Sequence, residues 1–176
     1  MILIFCWIIL SVINLISQRL PLEENNFQFP TSHKQLSEFV KELDNLSDLL
    51  NVKGIGKSVE GREIFALFYS KDEFGKDKSK LKVMFFAQQH GNEQSGKEGA
   101  LLLAKELLKE QNKYILDKLD FALIPQVNPD GSEINKRRNA NNVDLNRNHL
   151  LLEEPETQAL HNLFNKFNFE VTLDVH

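Results

Sequence analysis

The sequence predicts an α/β fold in which helices flank a mixed, mostly parallel sheet. Residues 81–87 are almost continuously apolar, as is typical of a strand buried on both faces, and residues 119–127 are predicted to be a second buried strand. Residues 169–175 are predicted to be a third strand. A helical pattern follows the first segment over residues 97–111, and another precedes the third over residues 154–167. Strands that alternate with helices in this way indicate a layered fold built on one sheet.

A surface helix and a pair of strands are expected ahead of that alternation. Thr31 or Ser32 can cap the helix, whose apolar residues recur at intervals of three and four. These residues are Leu36, Phe39, Val40, Leu43, Leu46 and Leu50. Residues 52–70 contain several glycines ahead of the apolar run EIFALFY, which suggests two strands joined by a turn at Glu60 and Gly61.

The remaining segments are predicted from turn residues and periodicity. Residues 128–131, NPDG, form a predicted turn, and residues 132–153 a loop without periodicity. Residues expected to face the core are Leu101, Leu102, Leu107 and Leu108 on the helix, and Phe85, Phe86, Phe121 and Phe164 among the aromatics. Three histidines, His33, His149 and His161, are expected on the surface or on a helix face, although His149 directly follows a polar loop and could lie near a site.

Composition argues for one ordinary globular unit and against a nucleic-acid partner. The chain has 176 residues, of which 41% are hydrophobic, enough to build a sizeable core. The net charge is −4 and 26% of the residues are charged, so no global excess of positive charge exists to attract a polyanion. The one local basic run, KRR at 136–138, needs another explanation.

An apolar leader precedes the predicted domain. Residues 2–16 are interrupted only by Ser11 and Asn14, a length typical of a signal peptide and short for the roughly 20 residues of a bilayer span. We therefore expect a signal peptide or membrane anchor over residues 1–20, a linker over 21–30 and the domain over 31–176. A buried N-terminal helix is a third interpretation. The protein is expected to be secreted or extracytoplasmic, with membrane contact, if any, through the leader.

The residues that can carry chemistry fall where the predicted strands end. His90 lies three residues past the first apolar strand, and His176 directly follows the third. In open α/β sheets, sites gather at the carboxyl ends of the strands, so these residues are expected at one edge. The only cysteine, Cys6, lies in the leader, and any metal must therefore be held by histidines and carboxylates.

The segment HGNE, residues 90–93, places an imidazole and a carboxylate three residues apart on a strand-to-helix turn. Such a pair can hold two positions of a zinc tetrahedron. Catalytic zinc takes three protein ligands and leaves a fourth position for water, so a distant third ligand is required. His176 is the natural candidate, and the predicted metal ligands are His90, Glu93 and His176.

The loop RRNANNVDLNRN, residues 137–148, combines arginines with amides. A short basic run is most often a solvated surface, but the planar fork of arginine also suits two-point binding of a carboxylate. Zinc-activated water beside such a clamp suggests hydrolysis next to a free carboxylate.

Six segments in order make the sequence resemble the M14 family of zinc carboxypeptidases. They are GKSVEGREI (56–64), HGNE (90–93), NPDG (128–131), RRNANNVDLNRN (137–148), EPETQAL (154–160) and VTLDVH (171–176). The resemblance implies a carboxypeptidase-like fold, one Zn²⁺ per chain and a peptide substrate with a free C-terminal carboxylate. Any single segment would be a weak signal, whereas the ordered set is specific.

The resemblance also implies a role for each matched residue. His90, Glu93 and His176 would bind zinc, and Asp144 would orient a ligand histidine. Arg137, which fits the family spacing better than Arg138, would polarise the scissile carbonyl and stabilise the oxyanion. The substrate carboxylate would be held by Asn146 and Arg147.

The sequence departs from the family pattern after His176. The family's general-base glutamate and its substrate-covering tyrosine lie downstream of the third zinc ligand and have no match here. The 176 residues are therefore expected to be a fragment, incomplete at the C-terminus of the fold and a poor catalyst as they stand. Two alternatives are an N-acyl amino-acid deacylase of the same superfamily and a catalytically inactive peptide- or zinc-binding domain.

Overall fold

A mixed five-stranded sheet lies at the centre of the molecule, whose computed structural model describes residues 18–176. The strands are β1 (Leu50–Lys57), β2 (Glu63–Tyr69), β3 (Leu81–Ala87), β4 (Leu119–Ile124) and β5 (Val171–Val175). Their order is β1-β2-β4-β3-β5. Strand β2 is antiparallel to both of its neighbours, whereas β3 is parallel to β4 and to β5. All described strands except β2 therefore run in one direction, which confirms the predicted mixed α/β sheet.

Helices cover both faces of this sheet. They are α1 (Pro21–Glu24), α2 (His33–Leu46), α3 (Gln94–Glu106), α4 (Pro129–Glu133) and α5 (Pro155–Phe167), with 3₁₀ turns at Glu110–Asp117 and Leu145–Arg147. Successive side chains of a strand point to opposite faces, so the core divides into two layers. Phe65 and Leu67 of β2 belong to the layer that includes α2 and α3, while Ile64 and Ala66 belong to the layer that includes α5.

The first described long helix, α2, begins where the sequence predicted. Ser32 is the cap, since its side chain accepts a hydrogen bond from the Gln35 amide while the Gln35 side chain accepts one from the Ser32 amide. Thr31, the alternative cap, instead donates its backbone N–H and its hydroxyl to the two oxygens of Glu98, each at 2.7 Å. This contact fixes the start of α2 against α3.

The structure contains short helices that the sequence did not predict. The predicted linker, 21–30, begins with α1, because Pro21 suits a first helical position and Glu23 accepts the Leu20 amide at 2.8 Å. The predicted NPDG turn opens helix α4 instead, and the loop 132–153 contains a 3₁₀ turn. Short helices of this kind carry too little periodicity to be recognised in a sequence.

Two apolar residues expected in the core are partly exposed. Leu102 is 45% exposed because the buried stripe of α3 passes through Lys97, Ala100, Leu101 and Ala104, and position 102 lies off that stripe. Phe164 is 38% exposed for the same reason on α5, where the neighbouring Leu163 takes the inward position.

The connections after β3 and β4 stay paired beyond the ends of the strands. The Val127 amide donates to the Ala87 carbonyl at 3.0 Å, and the Asn128 amide donates to the Gln88 carbonyl at 3.1 Å. Gly91 packs so closely on α4 that a Cβ at this position would overlap backbone atoms of Gly131 and Ser132. Only glycine allows this approach, so the HGNE turn and the NPDG segment are locked together by backbone packing.

The apolar leader at residues 2–16 lies outside the described residues. Across residues 18–176, none of the helices is both long and apolar enough to cross a membrane.

Candidate functional site

Three potential metal ligands converge at the carboxyl edge of the sheet. His90 Nδ1 lies 3.0 Å from Glu93 Oε1, and His176 Nδ1 lies 3.0 Å from Glu93 Oε2. The two imidazole Nδ1 atoms are 3.2 Å apart. One ligand atom from each residue falls within 4.8 Å of the others. The structure thus brings together the three residues that the sequence predicted as ligands.

The parallel pairing of β3 with β5 explains this convergence. Ala87 at the end of β3 is in register with Val175 at the end of β5. Chain segments that leave two parallel strands at the same level emerge side by side, so His90 and His176 meet although they are 86 residues apart in sequence. Glu93 joins them because it stands at the N-terminus of α3, directly after the turn.

Asp144 holds the ring of His90 from the other side. Its Oδ1 lies 3.0 Å from His90 Nε2, and His90 itself is almost completely buried. Both ring nitrogens of His90 face carboxylates, because Nδ1 lies 3.0 Å from Glu93 Oε1. A proton on Nε2, accepted by Asp144, leaves the lone pair of Nδ1 available. This is the tautomer that a metal needs. Partial burial raises the pKa of Asp144, but the hydrogen bond from His90 and the charges of His90 and Arg137 outweigh it, and the pKa lies below its ordinary value.

Arg137 is the arginine that faces this cluster. Its Nε donates to Asp144 Oδ2 at 3.3 Å, and one terminal nitrogen lies 3.5 Å from Glu93 Oε1. The guanidinium of Arg138 instead donates to the Asn142 carbonyl. The structure therefore places the Arg137 guanidinium beside the cluster and directs that of Arg138 to the Asn142 carbonyl. The Arg137 side chain is half-exposed.

Asn146 and Arg147 lie next to the cluster but are not drawn into it. The Asn146 amide donates to Asp144 Oδ1 at 3.1 Å, which places the 3₁₀ turn directly behind His90. Arg147 is exposed, and its guanidinium donates to the Asn146 carbonyl at 3.1 Å. Within residues 18–176, no hydrogen bond or ion pair joins either side chain to the three converging ligands. Their predicted role in substrate binding remains a prediction.

Two of the recognised segments have a structural role that the sequence did not reveal. Buried Asp130 of NPDG accepts hydrogen bonds from three groups of GKSVEGREI. They come from the Ser58 hydroxyl at 2.6 Å, the Glu60 amide at 2.9 Å and the Arg62 guanidinium at 2.7 Å. These contacts tie the β1–β2 turn to α4 and, through Gly91, support the HGNE turn.

A second set of contacts ties the asparagine-rich loop to α5. Asn139 donates to Glu154 Oε2 at 2.6 Å, while Asn148 Oδ1 accepts the Thr157 hydroxyl at 2.6 Å and the Glu154 amide at 3.0 Å. Burial raises the pKa of Glu156, which also accepts a hydrogen bond from Asn139. Much of the loop is therefore structural, and the asparagines hold Asp144 and Arg137 in place.

The three remaining histidines are half-buried and hydrogen-bonded. His33 Nδ1 lies 2.8 Å from Gln126 Oε1. His33 precedes the first predicted ligand, His90, by 57 residues in the sequence. His149 contacts both His161 and Gln89. Two residues near the predicted ligands were not identified from the sequence. Gln89 directly precedes His90 and donates to Asp174, and Asp174 contacts the His176 ring.

The comparisons with known proteins agree with this geometry. A family model described as zinc carboxypeptidase, of the M14 peptidases, matches residues 36–176, a range that includes all three converging ligands. Carboxypeptidase 2 from Trichophyton rubrum is 31% identical over 153 residues, which cover 84% of this chain and 28% of that protein. Carboxypeptidase SOL1 from Arabidopsis thaliana is 31% identical over 158 residues, which cover 81% of this chain and 31% of that protein.

A solved structure supports the same assignment. A metallo-carboxypeptidase from Burkholderia cenocepacia superposes with a TM-score of 0.72 at 26% identity, covering 84% of this chain and 41% of that one. The present chain spans less than a third of the length of the two sequence relatives. From the match over residues 36–176, the chain belongs to the M14 family of zinc carboxypeptidases.

Proposed function

We propose that the complete protein is a zinc-dependent metallocarboxypeptidase that releases C-terminal amino acids from peptides. The observation that carries this proposal is the convergence of two imidazole nitrogens and one carboxylate at the sheet edge. Two histidines and a glutamate are a donor set found in catalytic zinc sites, which keep one position open. The side chain of His176 is 37% exposed, so the cluster also has access to solvent.

His90 Nδ1, His176 Nδ1 and a carboxylate oxygen of Glu93 would hold the metal, one Zn²⁺ per chain. Zinc bound there would supply the Lewis acidity that activates water and polarises a peptide carbonyl. Asp144 would accept the Nε2–H of His90 and so favour the tautomer that offers Nδ1 to the metal.

Arg137 supplies positive charge beside the ligands. One of its nitrogens already lies 3.5 Å from Glu93, and further N–H groups of its fork remain for a substrate. We propose that these groups donate to the carbonyl oxygen as negative charge develops on it. Asn146 and Arg147, on the adjacent 3₁₀ turn, are proposed to bind the free carboxylate of the substrate, for which a planar guanidinium is well suited.

Hydrolysis also needs a general base. The two aspartates that contact the ligand histidines, Asp144 and Asp174, each lie within hydrogen-bond distance of an imidazole nitrogen. By the family resemblance, the general-base glutamate lies downstream of the third zinc ligand. Turnover is therefore proposed for the protein that carries such a base, and metal and peptide binding for the domain described here.

Export of the protein is a separate proposal that rests on the apolar leader, residues 2–16. Secretion or another extracytoplasmic location follows if this segment is a signal peptide. A membrane anchor is the alternative.

The assay for the proposed activity measures the hydrolysis of three test compounds by the complete protein. A dipeptide blocked at its N-terminus should be cleaved, its C-terminal amide should not, and an N-acyl amino acid should be a poor substrate. A zinc chelator should remove the activity, and added zinc should restore it. Preference for the N-acyl amino acid would indicate a deacylase instead, and zinc binding without any hydrolysis would indicate a binding domain.

Replacing Arg137 by alanine should lower kcat about 10²–10³-fold, the effect typical of losing one oxyanion donor. Arg138→Ala is the matched control, because that guanidinium donates to the Asn142 carbonyl and should leave kcat nearly unchanged. Steady-state kinetics on the blocked dipeptide measure both. Equal losses in the two variants would contradict the role given to Arg137.

A further inference from the structure

A chain of hydrogen bonds, which passes through the buried Gln89, reaches the second predicted ligand histidine. His176 Nε2 lies 3.1 Å from Asp174 Oδ2, on the ring edge opposite to Nδ1. Asp174 and His176 are two residues apart at the end of β5, so their side chains leave the same face of the strand.

The chain continues from Asp174 into the interior. Gln89, which is 1% exposed, donates its Nε2 to the same Asp174 oxygen at 2.8 Å. The Gln89 Oε1 atom lies 2.6 Å from His149 Nε2, and His149 Nδ1 lies 3.1 Å from His161 Nε2. The order of contacts is therefore His176, Asp174, Gln89, His149 and His161.

One assignment of protons satisfies every contact in this chain. A carboxylate only accepts, so Asp174 must face the amide nitrogen of Gln89. Both ring nitrogens of His176 face carboxylates, and the tautomer that leaves Nδ1 available for a metal donates its Nε2–H to Asp174. The Gln89 oxygen then faces His149, whose Nε2 must carry a proton. His149 Nδ1 is left as the acceptor for the Nε2–H of His161. Burial lowers the pKa of His149, helped by the charge of His161, and this favours the neutral ring that the assignment uses.

The two ligand histidines are thereby held in the same manner. Asp144 accepts from His90 Nε2 at 3.0 Å, and Asp174 accepts from His176 Nε2 at 3.1 Å. In both rings Nδ1 points to Glu93. Gln89 directly precedes His90 in the sequence, so one short segment after β3 supplies one ligand and also fixes the aspartate that faces the other.

We propose that Asp174 is the positioning residue of His176, and that Gln89 and His149 hold Asp174 in the orientation it needs. The proposal rests on the proposed function in that His176 is taken as a zinc ligand. A carboxylate behind a ligand histidine fixes the tautomer and orientation of the ring and raises its basicity. The alternative is that Asp174 is only an exposed residue at the end of β5.

Asp174→Ala and Asp174→Asn in the purified protein provide the test. The alanine variant should weaken zinc binding about 10–100-fold, whereas asparagine, whose side-chain oxygen can still accept from His176, should recover part of that affinity. Glu170→Gln is the matched control, because Glu170 lies just before β5 and contacts Lys82 instead of a histidine. Its zinc affinity should match that of the parent.

A spectroscopic measurement on metal-free protein separates this proposal from the proposed function. Nitrogen-15 correlation spectra of the imidazoles should show His176 protonated at Nε2 in the parent and a mixture of tautomers in Asp174→Ala. A parent that binds no zinc would defeat the proposed function, yet the tautomer shift would still support positioning by Asp174. Unchanged His176 signals together with unchanged zinc affinity in a folded Asp174→Ala protein would overturn the inference.

Discussion

Replacing His90 by alanine is expected to abolish stoichiometric zinc binding. His90 supplies one of three converging donors and is almost completely buried, so no surface side chain can take its place. The loss of affinity should exceed the roughly 10–100-fold that follows from changing an outer partner. Metal analysis after dialysis, and competition with a chelator of known affinity, measure the stoichiometry and the dissociation constant.

Two further variants separate metal binding from folding in this experiment. Glu93→Gln preserves the shape of a partly exposed side chain and removes its charge, so it should lose zinc affinity while it unfolds near the parent midpoint. His33→Ala removes a histidine whose Nδ1 contacts Gln126, and it should bind zinc normally. If His33→Ala and His90→Ala lost zinc equally, the metal would not be held where the structure places the three donors.

Replacing Asp130 by alanine is expected to cost about 1–3 kcal/mol of the free energy of unfolding, the range for leaving a buried hydrogen-bonding group without its partner. The change leaves the Ser58 hydroxyl and the Glu60 amide without their acceptor and separates Arg62 from its buried partner. Because α4 packs on Gly91, the HGNE turn should loosen as well. Urea denaturation with and without zinc measures both effects.

Asp77→Ala is the matched control for Asp130→Ala. The Asp77 side chain is fully exposed and, among residues 18–176, accepts hydrogen bonds only from the neighbouring Ser79, so its loss should leave the urea midpoint unchanged. An Asp130→Ala variant as stable as Asp77→Ala would show that the contacts between the β1–β2 turn and α4 contribute nothing to the fold.

The fold class and the convergence of the three candidate ligands could be predicted from sequence because both depend on short sequence patterns. Apolar strands mark the sheet, and parallel strands place their carboxyl ends together, so His90 and His176 were expected to meet. His90 and Glu93 of HGNE are three residues apart, so a local turn is enough to bring their side chains together. The family resemblance then supplied Asp144 and Arg137, and the structure places both beside the ligands.

The long-range contacts could not be predicted in the same way. Asp130 and Ser58 are 72 residues apart, and nothing in NPDG indicates which donors its carboxylate accepts. Asp174 likewise looks like an ordinary polar residue of an edge strand until Gln89 is found 2.8 Å away. The prediction that an apolar residue faces the core was wrong for Leu102, which lies beside the buried stripe of its helix. These outcomes depend on how elements pack, which a single sequence does not encode locally.

The central claim, that the edge between β3 and β5 binds one zinc through the Nδ1 atoms of His90 and His176, is tested most directly by anomalous diffraction. Crystals grown with zinc, with data collected on both sides of the zinc absorption edge, locate the metal independently of any assigned ligand. A single anomalous peak about 2.0–2.1 Å from both Nδ1 atoms and bound by Glu93 is the predicted result. A peak at the His149 and His161 pair, or none at the sheet edge, would contradict the account.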